Sequence, residues 1–119
     1  MGLGPGLFFK APGSGPSNSR SGGIPTSAWQ FVGGCESGFA QVDPFNPNIV
    51  WSGCYDGGLD VTDLRTGIAR DVRPWPETQY GWNPQQVKYR WHWNFPMVLS
   101  RHHPNTVWVG SQYIHQTTN

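Results

Sequence analysis

Asp43-Pro44-Phe45-Asn46-Pro47-Asn48-Ile49-Val50-Trp51-Ser52-Gly53 recurs as Ser100-Arg101-His102-His103-Pro104-Asn105-Thr106-Val107-Trp108-Val109-Gly110. Asn48 and Asn105, Trp51 and Trp108, and Gly53 and Gly110 each differ by 57 positions. Pro, Asn, Val, Trp and Gly coincide in the last seven positions of the two copies. An internal repeat governs architecture, so it is read before any single element. Each copy has an apolar lead-in, a turn built on Pro-Asn, and a run of β-branched and aromatic residues closed by glycine. Phe39 to Val42 and Ile49 to Ser52 are the strands of one β-hairpin, and Met97 to Leu99 and Thr106 to Val109 those of the other. Both have turns of about five residues. A third strand is expected after each, at Leu59 to Thr62 and Tyr113 to Thr117. Trp51 and Trp108, being equivalent, are expected in the core between the two units.

The composition agrees. With 16 glycines and 11 prolines in 119 residues, a helix bundle is excluded, because these are the poorest helix formers. Full disorder is excluded as well, since aromatic residues make up 14% of the chain and the net charge is only +1. An all-β chain of short strands between turns is the expected class. The absence of a strongly basic face argues against nucleic acid or an anionic membrane as partner. No apolar run approaches the roughly 20 residues of a membrane-spanning helix. The first positive charge, Lys10, follows the apolar start, which is the wrong order for a secretory signal.

Residues 1 to 27 hold seven glycines, four prolines and five serines, and are expected to be a flexible tail, with the folded part spanning 28 to 119. Within that part, Lys88-Tyr89-Arg90-Trp91-His92-Trp93-Asn94-Phe95 alternates strictly and predicts a strand with its four aromatic residues on one face. Arg73 to Pro84, interrupted by prolines, predicts a long loop.

The order of these motifs resembles the BNR-repeat and sortilin-type (VPS10-like) β-propellers, and more closely the large bacterial repeat proteins labelled glycosyl hydrolase or YVTN/BNR-like. Tyr89 to Pro96, Ser100, His102, Pro104-Asn105, Gly110-Ser111-Gln112 and Thr117-Thr118 carry the likeness in the second unit. Gly34 to Gly38, Asp43-Pro44, Asn48 to Val50, Gly53 and Gly57-Gly58 carry it in the first. The resemblance implies about two antiparallel blades of a propeller that usually has six or more, so the chain is expected to be a fragment. The other blades of a parent protein would then be its partners, and bare edge strands are expected. Val61 to Gly67 is only a degenerate version of the family's Asp-box, and His103 stands where the family has aspartate. The family implies three functions: a scaffold for a protein, peptide or glycan ligand, a glycoside hydrolase, or a structural propeller without catalysis. It also implies an extracellular or periplasmic setting.

A glycosidase needs two carboxylates facing each other across a sugar. Glu36, among flexible glycines, and Asp56, before Gly57-Gly58, are the candidates carried forward. A solvated loop charge and a hairpin turn are their plainer readings. Asp60 and Asp63 are further carboxylates in the set, whereas Asp43 is read as a turn cap. Trp75 and Trp82, in the proline-rich loop, are candidate ligand contacts, with packing onto the fold as the alternative. Arg90 and His92 could line a channel beside them, or Arg90 could be buried against carbonyls. Nothing implies a cofactor. The four histidines lack nearby carboxylates or thiolates, and no metal site is expected. Cys35 and Cys54 fit no zinc or short redox spacing, and two unpaired small residues are the simpler reading. Pairing of the first hairpin brings position 38 roughly opposite 54, so a disulfide is the other, and it would imply an oxidising compartment.

Overall fold

Two hairpins, reversed by side chains that hold their own turns, are the framework of the fold. A computed structural model of the protein describes residues 8–10, 27, 29–77, 79 and 81–118. Among these residues are nine strands and no α-helix, and the chain is all-β. The strands are β1 (Phe8–Lys10), β2 (Trp29–Phe31), β3 (Ala40–Val42), β4 (Ile49–Gly53), β5 (Leu59–Asp63), β6 (Ile68–Asp71), β7 (Met97–Leu99), β8 (Val107–Gly110) and β9 (Ile114–Thr117). They form three antiparallel sheets in the orders β1-β2, β3-β4-β5-β6 and β7-β8-β9. Most of the segment expected as a tail lies outside the described residues; within it, Phe8–Lys10 pairs with Trp29–Phe31.

The repeat is visible at the level of individual hydrogen bonds. Asp43 N–H donates to Ile49 O (2.9 Å), and its equivalent Ser100 N–H donates to Thr106 O (2.9 Å), closing both hairpins on five-residue loops. Asp43 Oδ1 accepts from the N–H groups of Phe45 and Asn46 at 2.8 and 3.0 Å. Ser100 Oγ accepts from His102 and His103 at 3.1 and 2.9 Å, the same two positions on. Aspartate and serine therefore fill one role, a short acceptor that satisfies turn donors no strand can reach.

The two larger sheets pack through Trp51, Leu59 and Val61 on one side and Met97, Leu99, Val107 and Val109 on the other, with Phe95 between them. Each such side chain contributes about 1.5–3 kcal/mol when fully buried. Strand residues two apart share a face, so β4 presents Trp51 to this core while β8 presents Val107 and Val109. The equivalents of Val107 and Val109 in β4 are Val50 and Ser52, which lie on the opposite face of their sheet. Equivalent sheets thus meet front to back. Trp51 is 4% exposed in the core, whereas Trp108, expected there too, faces away and is only partly buried. It pairs across its sheet with Val98 and Gln116.

The back of the first sheet is closed by the chain that follows β2. Val32 is fully buried, and its carbonyl accepts from Ser52 Oγ (2.7 Å) and Thr62 Oγ1 (2.9 Å). Gly34 N–H donates to Asp60 Oδ2 at 2.9 Å. Cys35 and Cys54 are joined by a disulfide with Cα atoms 4.9 Å apart, so the reading as unpaired residues is corrected. Ala40 pairs with Ser52, which places residue 38 opposite 54 and brings the two sulfurs together. Gly38 is required there, because a Cβ would lie 1.7 Å from Gly53 O.

Two elements differ from the sequence expectation. β6 is exposed along its length and has no apolar alternation to announce it. It forms because the Asp63–Gly67 turn, with Gly67 at φ +70°, returns the chain along the free side of β5. Residues 88–95, expected as a strand, run as irregular chain with a turn at Trp93 and Asn94. Their backbone is satisfied by side chains rather than by a neighbouring strand, and Asn94 N–H donates to His92 Nδ1 (3.1 Å), which turns Trp93 outward. Alternation describes a strand only where a second strand can pair with it.

Candidate functional site

The stretch from Val72 to Pro96 carries six of the eight tryptophans and tyrosines that the chain has between β6 and β9, and it is anchored at two points by buried Val87 and Phe95. Glutamine amides stitch it down. Gln112 Oε1 accepts from Arg90 N–H (2.7 Å) while Gln112 Nε2 donates to Lys88 O (3.1 Å), so one side chain imitates a paired strand. Gln79 Nε2 donates to Tyr89 O (2.7 Å), and Glu77 Oε2 accepts from Lys88 N–H (3.0 Å). Gln41 does the same for the sheets: its Nε2 donates to Met97 O (3.0 Å) and its Oε1 accepts from Leu99 N–H (3.3 Å). An open groove of about 640 Å³ lies beside this contact, lined by Val42, Pro44, Val98 and Arg101.

Inside the loop the aromatic rings form a connected cluster. Tyr89 meets Trp75, Trp91, Tyr113 and His115 edge-on, and Trp91 stacks on His115 with centroids 5.2 Å apart. The ammonium of Lys88 sits 3.6 Å from the Trp75 ring centroid, a favourable cation–π placement. Trp91 also explains Gly57. A Cβ at Gly57 would lie 2.2 Å from the indole, and its φ of +71° disfavours any other residue.

The candidate residues are distributed as follows. Glu36 is exposed, and its carboxylate accepts a hydrogen bond from Tyr55 OH. Asp56, in the turn between β4 and β5 at φ +58°, accepts from Gln79 N–H at 3.3 Å. Both belong to the end of the first sheet that the disulfide holds. Trp75 is 42% exposed and is tied to Lys88 and Tyr89, while Trp82, 58% exposed, stands further along the loop with its N–H on Gln79 O. Arg90 is exposed rather than buried against carbonyls, and His92 is committed to its own turn. Trp75 therefore joins Lys88 and Tyr89 rather than Arg90 or His92. Alternation puts Trp93 with the apolar face, but it stands 56% exposed, its ring 4.3 Å from that of Tyr55, next to Glu36. No sequence signal announced this pairing, because it joins loops almost forty residues apart.

Five groups have shifted titration, two of them Arg65 and Arg73, which hydrogen bonds to Asp63 and Asp71 raise above the ordinary arginine value. The hydrogen bond from the Arg65 side chain, with that from its backbone, lowers the Asp63 carboxyl to about 2. Burial pushes the Asp71 carboxyl up, but hydrogen bonds from the Arg73 side chain and backbone, with the arginine charge, outweigh it and leave the group below its ordinary value. Asp71 pairs directly with Asp60 across the strands, and Arg73 offsets that like-charge contact. Burial lowers His115, whose Nε2 lies 2.8 Å from Ser111 Oγ. A neutral imidazole is thus favoured among the rings.

Among the described residues, no group of three or more histidine, cysteine, aspartate or glutamate side chains could hold a metal ion, and no helix is long and apolar enough to cross a membrane. The chemistry available at this end of the fold is contact chemistry: exposed indole faces, a carboxylate acceptor at Glu36 and a fixed cation at Lys88. Comparison with known proteins returned no matching family model, no similar curated protein and no similar solved structure.

Proposed function

We propose that the chain is a two-blade portion of a β-propeller of the BNR/VPS10-like kind and serves as an interaction scaffold for a protein, peptide or glycan ligand. One observation carries the reading: equivalent sheets pack front to back, Trp51 of the first against Val107 and Val109 of the second. Front-to-back contacts between repeated units continue in one direction and generate rings or open arrays, whereas a front-to-front sandwich would end with two sheets. The loop from Val72 to Pro96 would be the ligand-presenting element, with Trp75, Trp82 and Trp93 as contacts. Flat, rigid indoles suit both the apolar face of a sugar ring and an aromatic-poor peptide surface. The disulfide supports an extracellular or periplasmic setting.

The glycoside hydrolase reading has less support, since Glu36 and Asp56 are each engaged by a structural donor, Tyr55 OH and Gln79 N–H. The test is a screen of the 119-residue chain against immobilised oligosaccharides and peptides, repeated with Trp82→Ala and Trp93→Ala. Retention of a ligand by the parent chain, with loss in either variant at unchanged circular dichroism, is expected. Equal retention by parent and both variants would overturn the assignment of the loop, and release of reducing sugar by the parent would favour the hydrolase.

A further inference from the structure

Cys35 and Cys54 each stand directly before one member of a hydrogen-bonded pair, since Glu36 accepts from Tyr55 OH. The two loops are therefore joined first by a covalent bond and then by a side-chain bond. Their surroundings are equally fixed. Asp56, at φ +58°, is held by Gln79 N–H at 3.3 Å, and Gly57 lies against the Trp91 indole. Trp93 lays its ring on that of Tyr55, with centroids 4.3 Å apart and a tilt of 34°, yet remains 56% exposed. A patch held this firmly loses little freedom when something binds to it.

The groups beside the ring pair set the chemistry of what can bind. Tyr55 OH donates to Glu36 Oε1, and among the described residues Glu36 Oε2 has no hydrogen bond and the carboxylate no ion pair. Asp63 and Asp71, by contrast, have Arg65 and Arg73. No lysine, arginine or histidine occurs between Arg20 and Arg65, a span that carries Glu36, Asp43, Asp56 and Asp60. Arg73 brings positive charge toward Asp56 and Asp60, but its own partner is Asp71. An ionised carboxylate only accepts, so the ligand that complements Glu36 is rich in donors and positively charged. A sugar hydroxyl supplies a neutral donor and gains less.

The loop itself shows how one of its indoles takes a cation. Lys88 Nζ lies 3.6 Å from the Trp75 ring centroid, whereas no cation of the described residues lies over Trp93. A guanidinium suits that vacant indole better than an ammonium, because it is planar, stacks on aromatic faces and presents its donors in a fork that matches a carboxylate.

We propose that Glu36, Tyr55 and Trp93 form a recognition site for an arginine side chain presented by a peptide or protein partner. The arginine lies against Trp93 and its N–H groups donate to Glu36, while the disulfide and the Tyr55 hydroxyl hold the carboxylate in place beforehand. The inference rests on the reading of the chain as an interaction scaffold and narrows it to one kind of ligand.

The probe is acetyl-Gly-Arg-Gly-amide, titrated into the 119-residue chain while the Trp93 indole N–H and the Glu36 amide are followed by NMR. A saturable shift at both, weakened by added salt, is expected. The citrulline analogue keeps the planar shape without the charge and should bind about tenfold more weakly, as should the arginine peptide to Glu36→Gln, the share of a charge-assisted hydrogen bond. Trp93→Ala should weaken binding about threefold, the worth of an exposed cation–π contact. Equal binding of the citrulline peptide, or equal binding of the arginine peptide by Glu36→Gln at unchanged circular dichroism, would overturn the proposal. So would the lack of a saturable shift at millimolar peptide. A neutral oligosaccharide that shifts Trp93 where the arginine peptide does not would overturn the arginine site and leave the scaffold reading standing; failure of both ligands, together with an empty oligosaccharide and peptide screen, would remove both.

Discussion

Replacing Trp51 and Trp108 separately by alanine tests the front-to-back packing, because the two residues are equivalent in sequence and inequivalent in space. Trp51 is 4% exposed among Leu59, Val61 and the aliphatic face of the second sheet. A tryptophan buries about 200 Å², and at about 25 cal/mol per Å² that is about 5 kcal/mol. Alanine keeps only a methyl group and leaves a cavity walled on both sides, so a loss of about 3–5 kcal/mol is expected. Trp108 lies on the outer face of β8 beside Val98, itself 55% exposed, where no closed cavity can form. Its replacement should cost about 1–2 kcal/mol. The assay is urea denaturation followed by circular dichroism in the strand band, since fluorescence would change with the tryptophan removed. If Trp51→Ala leaves no cooperative transition, Trp51→Leu supplies the comparison. Equal costs at the two positions, or a larger one at Trp108, would refute the packing.

Other consequences are open to direct measurement. Reduction of Cys35–Cys54, or Cys35→Ser with Cys54→Ser, should lower stability by about 3 kcal/mol, as loss of a cross-link closing a loop of this size does; an unchanged urea midpoint would show that the bond holds nothing in place. Gly57→Ala should cost about 2–3 kcal/mol through the Trp91 clash and the positive φ, and a combined Trp91→Ala change should relieve part of it. His115 titrates below its ordinary value of 6.5, so the unfolded chain takes up the proton first as pH falls. Its contribution is complete above that value and is lost between 6.5 and the lower folded pKa; His115→Gln should flatten this part of the stability–pH curve, and an unaltered slope would count against a desolvated imidazole.

Much of the first level of structure was legible in the chain itself. The Pro-Asn turns, the flanking β-branched runs and the glycines placed both hairpins, because a turn of this kind depends on residues within hydrogen-bonding reach of one another. Asp43 announced its own role, and Ser100 could have been read as its partner from the offset alone. The Arg73 to Pro84 loop was equally evident, since proline cannot donate to a ladder.

What the sequence could not decide is everything that depends on a neighbour. Lys88 to Phe95 has the alternation of a strand, yet among the described residues no strand pairs with it, and Gln79 and Gln112 take backbone bonds that a ladder would have made. β6 has no pattern and is a strand because β5 offers it an edge. The disulfide needed the pairing of Ala40 with Ser52 to bring its halves together. Identical tryptophans at Trp51 and Trp108 have different fates for the same reason: local sequence sets which residues alternate, and only the packing of one sheet on another sets which of the two faces is inside.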